Sequence, residues 1–134
     1  MLHTLDTNTC IDLLRGASAR LAERIGELSP AQVSLPSLVY AELLLGAALS
    51  AAPARNRRLV ERLVEPMRIL DFDAKAAVAY SAIRAQLQLA GKGIGPNDMI
   101  IAATALANQA VLVTANLREF NRVPGLLVEN WRDD

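Results

Sequence analysis

Along this chain, short solid apolar runs of three or four residues alternate with longer stretches in which apolar positions return every three or four places. The short runs at 33–35, 67–70, 111–113 and 126–128 read VSL, MRIL, VLV and LLV. Runs of that length with no polar alternation describe strands covered on both faces, as in a parallel sheet. With residues 2–5 as a first strand, the intervening stretches predict helices over 9–15, 19–28, 38–49, 54–64 and 74–90. A sixth helix is predicted from Gly95 or Pro96 through Ala107, and a short turn or helix at 117–121. Strands alternate with one or two helices along the chain, with no repeat or linker. The expectation is an α/β fold: one three-layer domain over residues 1–134, its short, mainly parallel sheet flanked by helices.

Local signals place the helix ends. Gly16 can close the first helix in a left-handed conformation, Ser37 and Asp73 are placed to cap the helices that follow them, and Pro96 presets the first turn of another. Leu21, Ile25 and Leu28 form one face of the second helix; Leu59, Val60 and Leu63 are expected to give the helix at 54–64 its dry side. From Met99 to Ala107 nearly every residue is apolar, so that helix is expected to be packed on most of its circumference and to be central. Trp131 is expected to anchor the end of the chain.

Composition narrows the class. With 52% hydrophobic and 21% charged residues the chain is not disordered, and its apolar stretches fall short of the ~18 to 20 residues that cross a bilayer. No secretory signal opens the sequence, and a single cysteine, Cys10, cannot close an internal disulfide. A soluble, cytoplasmic protein is expected. Fourteen acids balance fourteen bases, so any contact with a polyanion must be local. Arg55, Arg57, Arg58 and Arg62, with Lys92, are candidates for such a contact, either to RNA or to a protein partner, although a run of arginines on a helix is also an ordinary solvated face. The glycines around Lys92 do not make a phosphate loop, because no strand precedes them and no Ser or Thr follows the lysine. His3 has no second His or Cys near it to suggest zinc.

The acids carry the chemical signal. Asp6 follows the first strand, Glu42 stands among leucines on the helix after the second, and Asp98 lies in the opening turn of the helix before the fourth. Each has a plain alternative: Asp6 and Asp98 as helix caps, Glu42 on an exposed stripe. In a doubly wound sheet, however, these positions can converge beyond the carboxyl ends of the strands. Like charges gathered there call for a cation, and Mg²⁺ or Mn²⁺ suits an all-oxygen set. The chemistry that follows is phosphodiester hydrolysis.

Four segments taken together extend this reading: LDTN with Asp6, SLVYAELLLGA with Glu42, PNDMIIAATA with Asp98, and the ending LVTANLREFNRVPGLLVENW. In order and spacing the chain resembles the VapC-type toxins of the PIN-domain ribonuclease family. The resemblance implies a PIN fold, Mg²⁺- or Mn²⁺-dependent endoribonuclease activity, neutralisation by a cognate VapB-type antitoxin, and a homodimer. It implies metal ligation by Asp6, Glu42 and Asp98. The ending is similar to the branch that cuts initiator tRNA in the anticodon stem-loop. One position departs: many PIN domains have an aspartate near the end of the fourth strand, where this chain has Asn116. An amide positions a water or a ligand but supplies no charge, and Glu119, one turn onward, is placed to compensate. The hydroxyl of Thr114 could hold a carboxylate or a phosphate.

Two other classes remain open at this stage. A receiver-type phosphoacceptor module also gathers acids around Mg²⁺, but wants adjacent acids after the first strand and a lysine after the last. A non-enzymatic partner-binding α/β domain would use all these acids as caps and surface charge.

Overall fold

Five strands, β1 (His3–Leu5), β2 (Val33–Pro36), β3 (Arg68–Leu70), β4 (Val111–Val113) and β5 (Val128–Glu129), lie side by side in the order β3-β2-β1-β4-β5, every neighbouring pair parallel. They are seen in a computed structural model that describes residues 1–132. Seven helices connect them: α1 (Thr7–Arg15), α2 (Ala19–Gly26), α3 (Ser37–Ala48), α4 (Pro53–Val64), α5 (Ala74–Leu89), α6 (Pro96–Ala107) and α7 (Leu117–Phe120). The chain steps from β1 through β2 to β3, then returns to place β4 and β5 on the other side of β1. Right-handed crossovers therefore send helices to both faces. The reversal makes a crevice between the carboxyl ends of β1 and β4, the place where open α/β sheets take ligands. This order also differs from the 2-1-3-4-5 order of receiver modules, which removes that class.

The central strands are buried as their sequences predict. Leu5, Leu35, Leu112 and Val113 are almost wholly covered, at roughly 2 kcal/mol for each buried side chain. In α6, Ala102, Ala103 and Ala105 are fully buried beside Ile101, and their small side chains let the helix pack closely. Ser18 caps α2 through the Leu21 amide and Asp73 caps α5 through the Ala76 amide. Gly16 closes α1 with φ of 63°, the left-handed conformation that glycine adopts without cost. Trp131 is buried against His3, its ring centroid 5.1 Å away, with the Arg24 guanidinium 4.6 Å over the indole. Among the described residues no helix is long and apolar enough to cross a membrane.

Several expected boundaries move. The first helix begins at Thr7 rather than Thr9, because Asp6 itself is its cap. Ser37 is the first residue of α3 and not its cap; β2 runs on through Pro36, which pairs with Leu70 and lacks the N–H that would point into the turn. The last strand forms at Val128–Glu129 instead of 126–128. Leu126 packs into the core while the backbone of Leu127 and Glu129 accepts from Leu112 and Thr114. On α4 the covered residues are Val60 and Val64, and Leu59 is 39% exposed.

Candidate active site

The end of β1 delivers Asp6 straight into the first turn of α1, and two donors fix its carboxylate. Oδ1 accepts the Thr9 amide at 2.9 Å, and Oδ2 accepts the Thr114 hydroxyl at 2.5 Å from the end of β4. Thr9 in turn donates its hydroxyl to the Val113 carbonyl at 3.1 Å, so β1, α1 and β4 are tied at one point. Asp6 is thus both a cap and the floor of the crevice, buried to 6% exposure. The cap reading of Asp6 holds, and the capping does not withdraw the residue from the crevice, which it lines.

Glu42 is reached from two helices. The Thr7 hydroxyl donates to its Oε1 at 2.6 Å and the Asn97 amide donates to its Oε2 at 3.3 Å. Glu42 is therefore half-buried at the meeting of α1, α3 and α6 rather than alone on a solvent stripe. Asp98 is the neighbour of Asn97 in the first turn of α6. Its carboxyl is pushed up to about 6, first by burial, then by the charge and hydrogen bonding of Glu119, then by the charges of Asp6 and Glu42. These causes put all four acids within one electrostatic neighbourhood. Glu119 is held below the usual carboxylate range, chiefly because the Gly95 amide donates to its Oε1 at 2.8 Å and the Asn116 amide to its Oε2 at 2.8 Å. Asn116 also gives its backbone N–H to the Thr114 hydroxyl at 3.0 Å.

The donor set is entirely oxygen and strongly negative, the chemistry that fits a hard divalent cation. Each of Asp6, Glu42 and Glu119 is meanwhile turned to protein donors. Consistent with this, among the described residues no three His, Cys, Asp or Glu side chains form a ready coordination sphere. Asn116 donates to Glu119 and leaves its own carbonyl oxygen as the only further ligand it could contribute.

The remaining candidates lie elsewhere. Arg55, Arg57, Arg58 and Arg62 are exposed on α4, which packs against α3 and α1, while Lys92 lies in the loop between α5 and α6. Arg57 pairs with Glu61 at 3.7 Å, and Arg58 and Arg62 border a cavity of about 520 Å³ that contains none of the four acids. The arginine run and Lys92 are carried by separate helix packets and do not form one patch. Thr7, Thr9 and Asn97 were not legible as site residues. Thr7 and Asn97 immediately adjoin Asp6 and Asp98, and that adjacency is the signal that could have found them.

Comparison with known proteins agrees with this geometry. The PIN domain profile matches residues 4–126. The chain is 40% identical over 127 residues to the tRNA(fMet)-specific endonuclease VapC of Salmonella typhimurium, covering 95% of this chain and 96% of that protein. It superposes on a crystal structure of DNA-bound VapBC from Salmonella typhimurium with a TM-score of 0.92 at 39% identity, covering 98% of this chain and 99% of the other. VapBC2 from Rickettsia felis, bound to a DNA fragment from its promoter, matches with a TM-score of 0.90 at 32% identity and the same coverage. Sequence, strand order and the acids at the β1–β4 crevice thus lead to one assignment: this chain belongs to the VapC branch of the PIN domain family.

Proposed function

We propose that this chain is an endoribonuclease, the toxin of a toxin–antitoxin pair, neutralised in the cytoplasm by a cognate VapB-type antitoxin. The endonuclease and ribonuclease names of its relatives and its likeness to VapBC complexes support that reading. The finer part is a Mg²⁺ or Mn²⁺ requirement, with initiator tRNA as the RNA cut. The observation that supports the cation requirement is the gathering of Asp98, Glu119, Asp6 and Glu42 in one neighbourhood, where burial first and then the charges of the other three acids raise the proton affinity of Asp98.

Asp6, Glu42 and Asp98 would hold the ion, which supplies a water of lowered pKa and a positive charge against the phosphate oxygens. The protein's own part is positioning. Thr9 and Thr114 prevent Asp6 from turning away, Thr7 and Asn97 hold Glu42 between three helices, and the Gly95 amide with Asn116 keeps Glu119 ionised beside Asp98. Asp98, whose proton affinity is raised, is expected to set the lower pH at which the nest is ready for a cation.

The test is cleavage of total RNA by the purified chain with Mn²⁺ or with chelator, followed by mapping of the cut ends. The reading expects cleavage only with the ion, concentrated in the anticodon stem-loop of initiator tRNA, and absent in Asp6→Asn and Asp98→Asn. Undiminished cleavage by both variants would remove these acids from the chemistry.

A further inference from the structure

A nest of carboxylates repels the polyanion it is meant to cut, so the RNA strand must be held by bases flanking the scissile phosphate. The structure narrows which bases those are. An open cavity of about 530 Å³ follows one side of α1, from Asp6 and Asn116 past Asn8 and Asp12 to Arg15 and Arg132. Asn8, Asp12 and Arg15 are spaced by four and three residues and so share a helix face. Nine residues at ~1.5 Å each put the Arg15 backbone roughly 13 Å along the axis from Asp6.

Arg15 also borders a second cavity, of about 340 Å³, that includes Glu42. Arg15 therefore lines both of the cavities that contain a site acid, Asp6 in one and Glu42 in the other. It is exposed, in the last turn of α1, and has no ion-pair partner among the described residues. Arg132 enters the first cavity from the other wall. Its Nη1 lies 3.2 Å from Asp12 Oδ2, which orients the guanidinium while leaving the side chain 37% exposed.

We propose that Arg15 and Arg132 form a phosphate subsite for the RNA backbone next to the scissile linkage, with Asp12 as the positioning residue for Arg132. The proposal rests on the ribonuclease reading and gives it a direction: the strand lies along α1, and not across the arginines of α4. Arginine suits this task because its planar fork meets phosphate oxygens in pairs.

The experiment measures binding of labelled tRNA by fluorescence anisotropy across a salt series, using the full chain with Asp98→Asn to prevent turnover. Arg15→Gln and Arg132→Gln are each expected to weaken binding about tenfold, the size of one charge-assisted hydrogen bond. Each is also expected to flatten the slope of log affinity against log salt by about 0.7 to 0.9, one phosphate contact. Arg15→Lys and Arg132→Lys should restore the slope, and Lys75→Gln, on the exposed start of α5, should leave it unchanged. In the otherwise native chain both glutamine variants should raise KM with little change in kcat. If native protein cuts RNA while Arg15→Gln and Arg132→Gln keep native KM and salt slope, the subsite is wrong and the ribonuclease reading stands. If native protein neither binds nor cuts RNA, both fall.

Discussion

Thr114 and Asp6 are 108 residues apart in sequence and share a 2.5 Å hydrogen bond across the ends of β4 and β1. That bond spans the point where the strand order reverses, and it decides which way the buried carboxylate faces. Removing the hydroxyl in Thr114→Val leaves Asp6 short of one donor in a place that water barely reaches. The expected cost is about 1 to 3 kcal/mol in thermal or denaturant unfolding, with loss of most RNA cleavage. Thr114→Ser keeps the donor and should retain both stability and activity within a few-fold. Equal behaviour of the valine and serine variants would show that the bond matters to neither.

Asp98 makes stability depend on pH in a particular direction. Its folded pKa is raised from 3.8 to about 6, so the folded protein holds this proton more tightly than the unfolded chain does. Protonation therefore favours folding: the contribution is complete below pH 3.8 and disappears as pH climbs through about 6. In chelator at neutral pH, Asp98→Asn should be more stable than the native chain by about 1 kcal/mol, after discounting for a group only half removed from water. The difference should shrink on acidification and be small below pH 4. Thermal melts of both proteins from pH 4 to 8 check the sign.

Glu119 is a principal cause of that raised value, second to burial. Glu119→Gln should bring the Asp98 carboxyl back toward the ordinary range, moving the acid limb of Mn²⁺ affinity to lower pH. A carboxyl resonance of Asp98, followed by NMR in the ion-free protein, gives the shift directly. An unmoved titration would mean that Glu119 is not a cause and that burial with the charges of Asp6 and Glu42 sets it.

Trp131 fixes the end of the chain through His3, Arg24 and a 2.8 Å hydrogen bond from its indole to Glu129. Trp131→Ala should cost about 3 to 5 kcal/mol. Because Arg132 is the next residue, the same change should weaken RNA binding beyond its effect on stability.

The sheet was legible because its strands are short apolar runs bounded by turn-prone residues; burial on both faces sets that pattern in β1, β2 and β4, whereas the edge strands β3 and β5 are largely exposed, contrary to the expectation of full cover, because each has a neighbour on one side only. VLV at β4 matches to the residue. Boundaries failed where a side chain does two jobs. Asp6 caps α1 two residues earlier than the apolar pattern allowed, and Pro36 closes a strand while preceding a helix without a cap bond. Of the acids, Glu42 was noticeable because it interrupts an apolar helix, and Asp6 and Asp98 because they stand at a strand end and in a helix's first turn. The Thr114 hydroxyl was recognisable as a carboxylate holder. Thr7, Thr9 and Asn97 were hidden, since threonine and asparagine beside a helix start are ordinary there, and only long-range geometry turns them toward Glu42 and Val113.

The most direct test of the whole account is calorimetric titration of Mn²⁺ into the purified native chain near pH 7.5, alongside Asp6→Asn and Asp98→Asn with their folds checked by circular dichroism. Saturable binding in the native chain, lost in both folded variants, is the predicted result. Binding that is absent from the native chain, or that survives unchanged without either carboxylate, would contradict the claim that these acids form one cation site.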